Sequence, residues 1–189
     1  MGKELSHSFN IELSQQMLHR LKEEQCRLLE KSEELRFYES SPHLSIANKF
    51  MDAASTPKFI EALINEFKGD KPWELEFADF RSSSTNDYIF LHLSPASRQK
   101  LFELHERAFA VTQDIGLEIP SGDKFRHFEY DPHISIIKLT PEDTDAAIGL
   151  IKEDFIGMKM PVTRYVVTQQ TDDEKGFANF PVVCKIDLK

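Results

Sequence analysis

Cysteine is scarce in this chain. Cys26 and Cys184 are its only two, too few for a disulfide framework and neither in a metal-ligand spacing, so free thiols in a reducing compartment are expected. That points to the cytoplasm, with the nucleus also compatible. No apolar run reaches the eighteen residues a membrane-spanning helix needs. The N-terminus, Met1-Gly2-Lys3-Glu4 and then Ser6-His7-Ser8, lacks the apolar stretch of a signal peptide. Positive charge is in deficit, with 23 Lys and Arg against 32 Asp and Glu and a net charge of −9. A chain so acidic has no broad basic surface for gripping a long nucleic acid. A phosphate-bearing substrate must then be small or short, or be held by a local pocket. Tryptophan is nearly absent, one residue against fifteen Phe, which predicts a Phe-rich core. At 189 residues the chain is long enough to bury one.

What the sequence does have is one phrase written twice. Pro42-His43-Leu44-Ser45-Ile46 returns as Pro132-His133-Ile134-Ser135-Ile136, ninety residues later. Side chains alternate between the faces of a strand. His43 and Ser45 therefore share one face, and Leu44 and Ile46 the other. The second copy repeats the arrangement. If the two strands face each other across a pseudo-twofold axis, two imidazoles and two hydroxyls meet in one cleft.

The phrase sits inside a longer repeat. Residues 7–14 alternate as a half-buried strand. Ser14 reads as the N-cap of a helix to Lys31 with an apolar stripe of Met17, Leu18, Leu21, Cys26, Leu28 and Leu29. The first motif strand follows. Thr56, as cap, and Pro57 then open a helix carrying Phe59, Ile60, Leu63, Ile64 and Phe67. Trp73–Phe80 alternates as a strand, and after a polar turn at Arg81–Asp87 comes a strand at Tyr88–Leu93. The order then restarts. A helix runs from Pro95 to about Ile115 with Leu101, Leu104, Ala108 and Val111 inward, and a loop leads to the second motif strand. Thr140-Pro141 starts a helix that ends near Gly157, and strands follow at Met160–Thr168 and Phe180–Leu188. The predicted architecture is α+β, one bilobal domain over 1–189 of two duplicated βαβ-type halves, about 1–85 and 86–189.

Two histidines in one cleft suit general acid–base catalysis, because a free imidazole titrates near pKa ~6.5 and so serves in either protonation state. Serine hydroxyls two residues along suit the oxygens of a phosphoryl group as charge builds on them. In-line displacement at phosphorus needs attack and departure on opposite sides, which symmetry-related histidines provide. The twin Pro-His-hydrophobic-Ser-hydrophobic motifs in a duplicated chain resemble those of the 2H phosphoesterase superfamily, which includes the 2′-5′ RNA ligase-like proteins and nucleotide cyclic phosphodiesterases. The resemblance covers nearly the whole chain. It implies two antiparallel-type sheets around a central cleft with outer helices. It also implies that His43 and His133 are the acid–base pair and that Ser45 and Ser135 bind phosphate. The implied chemistry is metal-independent cleavage of a 2′,3′-cyclic phosphate or related phosphodiester at a nucleotide or RNA end, with no cofactor and with ligation as the reverse reaction. Many members carry Thr where this chain has Ser, a change that keeps the hydroxyl.

Other candidates are weaker. Arg126 and His127, beside Lys124, form a basic cluster before the second motif that suits a phosphate or nucleobase. Tyr38 and Tyr130 lead the aromatics considered for stacking on a base, ahead of Phe50, Phe128 and Tyr165. His92 faces either cleft or solvent, and His19 and His105 are expected to be solvated. Lys49 and Lys138 are placed to edge the cleft. The expected partner is a nucleotide or short RNA, with no membrane, no obligate protein partner and a monomeric state. Two rival functions carry different chemistry. A non-catalytic nucleotide or RNA-end binder would keep the cleft without turnover. A metal hydrolase would use the two histidines as ligands, but they have no matching set of Asp, Glu or Cys.

Overall fold

The computed structural model describes residues 4–31, 42–83, 88–116, 130–138, 147–151, 153–172 and 178–189. Ten strands and three α-helices are described. In chain order they are β1 (Glu4–Ile11), α1 (Gln15–Lys31), β2 (Leu44–Asp52), α2 (Thr56–Phe67), β3 (Trp73–Ser82), β4 (Tyr88–Leu93), α3 (Pro95–Asp114), β5 (His133–Lys138), β6 (Lys159–Val162), β7 (Arg164–Gln169), β8 (Thr171–Asp172), β9 (Ala178–Asn179) and β10 (Val182–Asp187). The Thr140-Pro141 helix start lies outside the described residues. Beyond it the chain forms a 3-10 turn at Glu153–Phe155 and then Gly157, whose positive φ of 74° suits glycine.

Eight strands form one antiparallel sheet in the order β10-β7-β1-β2-β5-β4-β3-β6. The two expected sheets are thus continuous, joined where the motif strands meet at the pair Leu44↔Ile134. The lobes do not follow the halves of the chain. β3 pairs with β4 and stays with β5 and β6, while β7 and β10 return to β1 and β2. The single strand expected at Met160–Thr168 is consequently two. β6 pairs with β3 in one lobe, and β7 crosses at Thr163 to pair with β1 in the other.

Local chemistry explains the helices. Ser14 caps α1, accepting from the Met17 N–H at 3.1 Å, and Ser94 caps α3 in the same way from Ser97. α2 differs from expectation by one residue. Ser55 is the N-cap, and Thr56 opens the helix with its hydroxyl 3.1 Å from His7 Nε2. The α3 stripe is buried as predicted, and the helix ends at Gly116, φ 66°. On α1 the buried face is Met17, Leu21, Glu24, Gln25 and Leu28, and Cys26 is exposed. Each helical residue turns ~100°, so a face through Leu21, Gln25 and Leu28 cannot also hold Cys26.

The lobe behind the first motif closes on an aromatic knot. Phe9 packs against Phe67 at 4.9 Å and Tyr165 at 5.6 Å between ring centroids. Tyr165, considered above for base stacking, is fully buried here. Its hydroxyl accepts from Trp73 Nε1 and donates to Asp70, which Arg107 holds with two hydrogen bonds. No described helix is long and apolar enough to cross a membrane.

Candidate active site

The two motif strands run antiparallel through Leu44↔Ile134, so His43 lies toward Ser135 and Ser45 toward His133. Leu44 and Ile134 are completely buried, as are Ile46 and Ile136 to within a few per cent. This apolar face anchors each strand. The opposite faces line one cleft of about 360 Å³ that contains His43, Ser45, His133 and Ser135. Tyr88 and Phe90 of β4 form part of its wall.

His133 is the more buried of the two histidines. Its Nδ1 lies 2.7 Å from the Asp131 carbonyl oxygen, which can only accept, so Nδ1 carries the proton and Nε2 the lone pair of the neutral ring. Phe90 stacks on the ring at 3.7 Å. Burial pushes the His133 pKa down, with His92 and His43 adding to the effect against the opposing pull of Asp131. Asp131 is ion-paired with Arg98 at 3.0 Å. His43, by contrast, is exposed.

The serines also differ in their surroundings. Asn10 stands opposite Ser45 in register, and Phe90 stands opposite Ser135. Asn10 Oδ1 accepts from Ser8 Oγ at 2.7 Å and from Ser45 Oγ at 3.0 Å, and its Nδ2 donates to the Ser8 carbonyl and to Thr168. Ser45 thus belongs to a buried polar cluster, while Ser135 borders an aromatic wall.

Both motif strands carry a bulge at the same place. The register slips between Phe9 and Asn10 opposite β2, and between Ile89 and Phe90 opposite β5, leaving Ile46 and Ile136 as the extra residues. Each bulge buries two consecutive residues, Ile46 with Ala47 and Ile136 with Ile137. Bulges beside functional sites re-aim the side chains around them.

Of the weaker candidates, Tyr38, Arg126 and His127 lie outside the described residues. Tyr130 borders the cleft but is nine-tenths buried, donates its hydroxyl to the Ser45 carbonyl at 2.8 Å, and has its ring stacked on His105 at 4.1 Å. It braces the motif strand. His105 is buried, not solvated, with Nδ1 2.7 Å from the Ile46 carbonyl. Its place between Leu101 and Ala108 on the apolar stripe is the signal that shows this. His19 is exposed, as expected. His92 is buried directly opposite His133, and its pKa is pushed down by that burial. Lys49 is buried with its ammonium 5.0 Å from the Phe109 ring, and Lys138 sits over Tyr88 at the cleft wall. Among the described residues, no three His, Cys, Asp or Glu side chains gather as a metal site would require.

The model of the 2′-5′ RNA ligase superfamily matches residues 11–174. E. coli LigT in apo form is similar in structure, with a TM-score of 0.67 at 14% identity over 100% of this chain and 99% of that one. TT0787 of Thermus thermophilus gives 0.67 at 16% identity, covering 97% of each chain. The MHV ns2 PDE domain gives 0.57 at 16%, covering 87% of this chain and 99% of that one. No curated protein matches.

Proposed function

The chain belongs to the 2′-5′ RNA ligase superfamily, and from that premise we propose that it hydrolyses 2′,3′-cyclic phosphates or related phosphodiesters at nucleotide or RNA ends, without a metal. The observation that carries this reading is the meeting of both His-x-Ser faces in one cleft. E. coli LigT has also been solved with 3′-AMP bound, which supports a nucleotide-sized ligand for a cleft of this fold.

We assign the roles by proton inventory. His133 holds its Nδ1 proton on the Asp131 carbonyl, so in the neutral form Nε2 presents a lone pair, as a general base requires. It takes a proton from water as the water oxygen bonds to phosphorus. The bond from phosphorus to one ribose oxygen breaks, and that oxygen takes a proton from the His43 imidazolium. The product is a nucleoside phosphomonoester, and exchange with solvent resets both histidines. Ser135 donates to a phosphoryl oxygen. Ser45 exchanges its Asn10 partner for the phosphoryl group when substrate enters, a trade costing about 1 kcal/mol before the new bond offsets it.

The test is hydrolysis of the four nucleoside 2′,3′-cyclic phosphates, and of a short RNA with a cyclic-phosphate end, in EDTA. Turnover in chelator is expected. Nucleotide binding without turnover by the folded protein would favour the alternative, a non-catalytic binder, and loss of turnover in EDTA would favour a metal hydrolase.

A pH profile adds a second expectation. A base is lost as pH falls through its folded pKa, and burial puts that of His133 below the ~6.5 of free imidazole. The acid limb of kcat/KM should therefore lie below pH ~6.5. The same shift should withdraw stability as pH drops below ~6.5, because the unfolded chain then binds the proton more readily than the native state. An acid limb above that value in the parent enzyme would overturn the reading of a downward-shifted His133 as the base.

A further inference from the structure

Two buried polar side chains on the outer helices occupy equivalent places in the repeat. Gln25 stands eleven residues after the cap Ser14, and His105 eleven residues after the cap Ser94. Both are nearly inaccessible, 3% and 4% exposed. Gln25 Nε2 donates to the Ile136 carbonyl at 2.8 Å, and His105 Nδ1 donates to the Ile46 carbonyl at 2.7 Å. Those carbonyls belong to the extra residues of the two bulges, each one residue beyond a motif serine. The helix of the first half therefore holds the bulge of the second, and the helix of the second half holds the bulge of the first.

A bulge interrupts the strand ladder, and a buried carbonyl must find a donor elsewhere or cost about 1–3 kcal/mol. Any donor meets that need. What singles out these two is their crossed, symmetric placement beside the motif that aims a histidine and a serine into the cleft. Resting on the reading of that cleft as the active site, we infer that Gln25 and His105 are reciprocal positioning residues: each half of the protein sets the alignment of the other half's His-x-Ser motif through one hydrogen bond to its bulge. The second half adds a further support on its side, since Tyr130 stacks on His105 and donates to the adjacent Ser45 carbonyl.

The variants are chosen to remove the donor and keep the volume. Gln25→Met leaves a chain of the same length, and His105→Phe keeps a ring over Tyr130. Gln25→His and His105→Gln exchange the two donors between halves. The first readout is the histidine ring and backbone amide NMR spectrum of the full chain, which needs no turnover. Gln25→Met should move the signals of residues 133–138 and leave 43–48 close to the parent. His105→Phe should move 43–48 more than 133–138. The second readout is turnover of a nucleoside 2′,3′-cyclic phosphate. Each donor-less variant should lose about ten- to a hundred-fold in kcat with KM within about two-fold, as expected for catalytic groups displaced by a fraction of an ångström to an ångström. The exchanged donors should restore most of that loss.

Equal disturbance of both motifs by either variant, no disturbance of either, or exchanged donors as damaging as none, would overturn the inference. Crossed NMR shifts in a protein with no phosphodiesterase activity would leave the latches standing and remove the proposed reaction instead.

Discussion

Replacing His133 with Ala is expected to lower turnover of a nucleoside 2′,3′-cyclic phosphate by ~10²–10⁴-fold, the usual worth of a positioned general base. His43→Ala should cost a similar factor on the same substrate. The two losses become distinguishable when the leaving group changes. A nucleoside 3′-(p-nitrophenyl phosphate) releases a stable phenolate that needs no proton, so an enzyme without its general acid should recover most of its rate on that ester. Recovery is expected for His43→Ala and not for His133→Ala. The physical basis is the asymmetry around the two rings. His133 is held by Asp131, covered by Phe90 and pushed toward its neutral form by burial, while His43 is exposed. The opposite recovery would exchange the two roles. Full activity in either alanine variant would remove that histidine from the chemistry.

Phe9→Ala should produce the largest loss of stability, about 3–5 kcal/mol, measured as a fall in the urea midpoint at unchanged slope. Phe9 is completely buried and packs between Phe67 of α2 and Tyr165 of β7. Its strand neighbour Asn10 reaches Ser45. The knot that Phe9 fills is polar at its edge, where Tyr165 meets Trp73 and Asp70, so it cannot collapse freely around the space left behind. A loss below about 1 kcal/mol would mean that the knot repacks, and that β1 is held by its ladder alone.

The readable parts of the fold were those with a local cause. Strand alternation placed Phe9, Ile11, Leu44, Ile46, Ile134 and Ile136 inward, and the structure buries all of them, but β1 is not the half-buried strand expected, since His7, Ser8 and Asn10 on its other face are buried as well. Helical spacing placed Phe59, Leu63 and Phe67 inward on α2, where all three are buried. Hydropathy alone puts Cys26 in the gap of the α1 stripe, and the structure exposes it. Residues 17, 21 and 28 leave that gap at 24 or 25, and spacing favours Gln25. Polarity alone makes His105 solvated, and the structure buries it on the apolar face of α3. In both cases a buried polar side chain donates to a strand carbonyl from the other half of the chain. Tyr88 and Phe90 were missed as cleft walls because a strand's period gives its two faces without saying which one meets the cleft.

By itself the sequence determined the repeated phrase, the two motif strands, the face each histidine shares with its serine, and a net charge of −9. These follow from composition and from periods of 2 and 3.6 residues, which depend on near neighbours alone. Tertiary structure decided that the motif strands meet at Leu44 and Ile134, and that β3 and β7 exchange lobes. It also set Asn10 beside one serine and Phe90 beside the other, and gave each bulge a donor from the opposite half. Those outcomes depend on which groups, up to more than a hundred residues apart in the chain, satisfy one another's hydrogen bonds and fill one another's volume, and no local period records that.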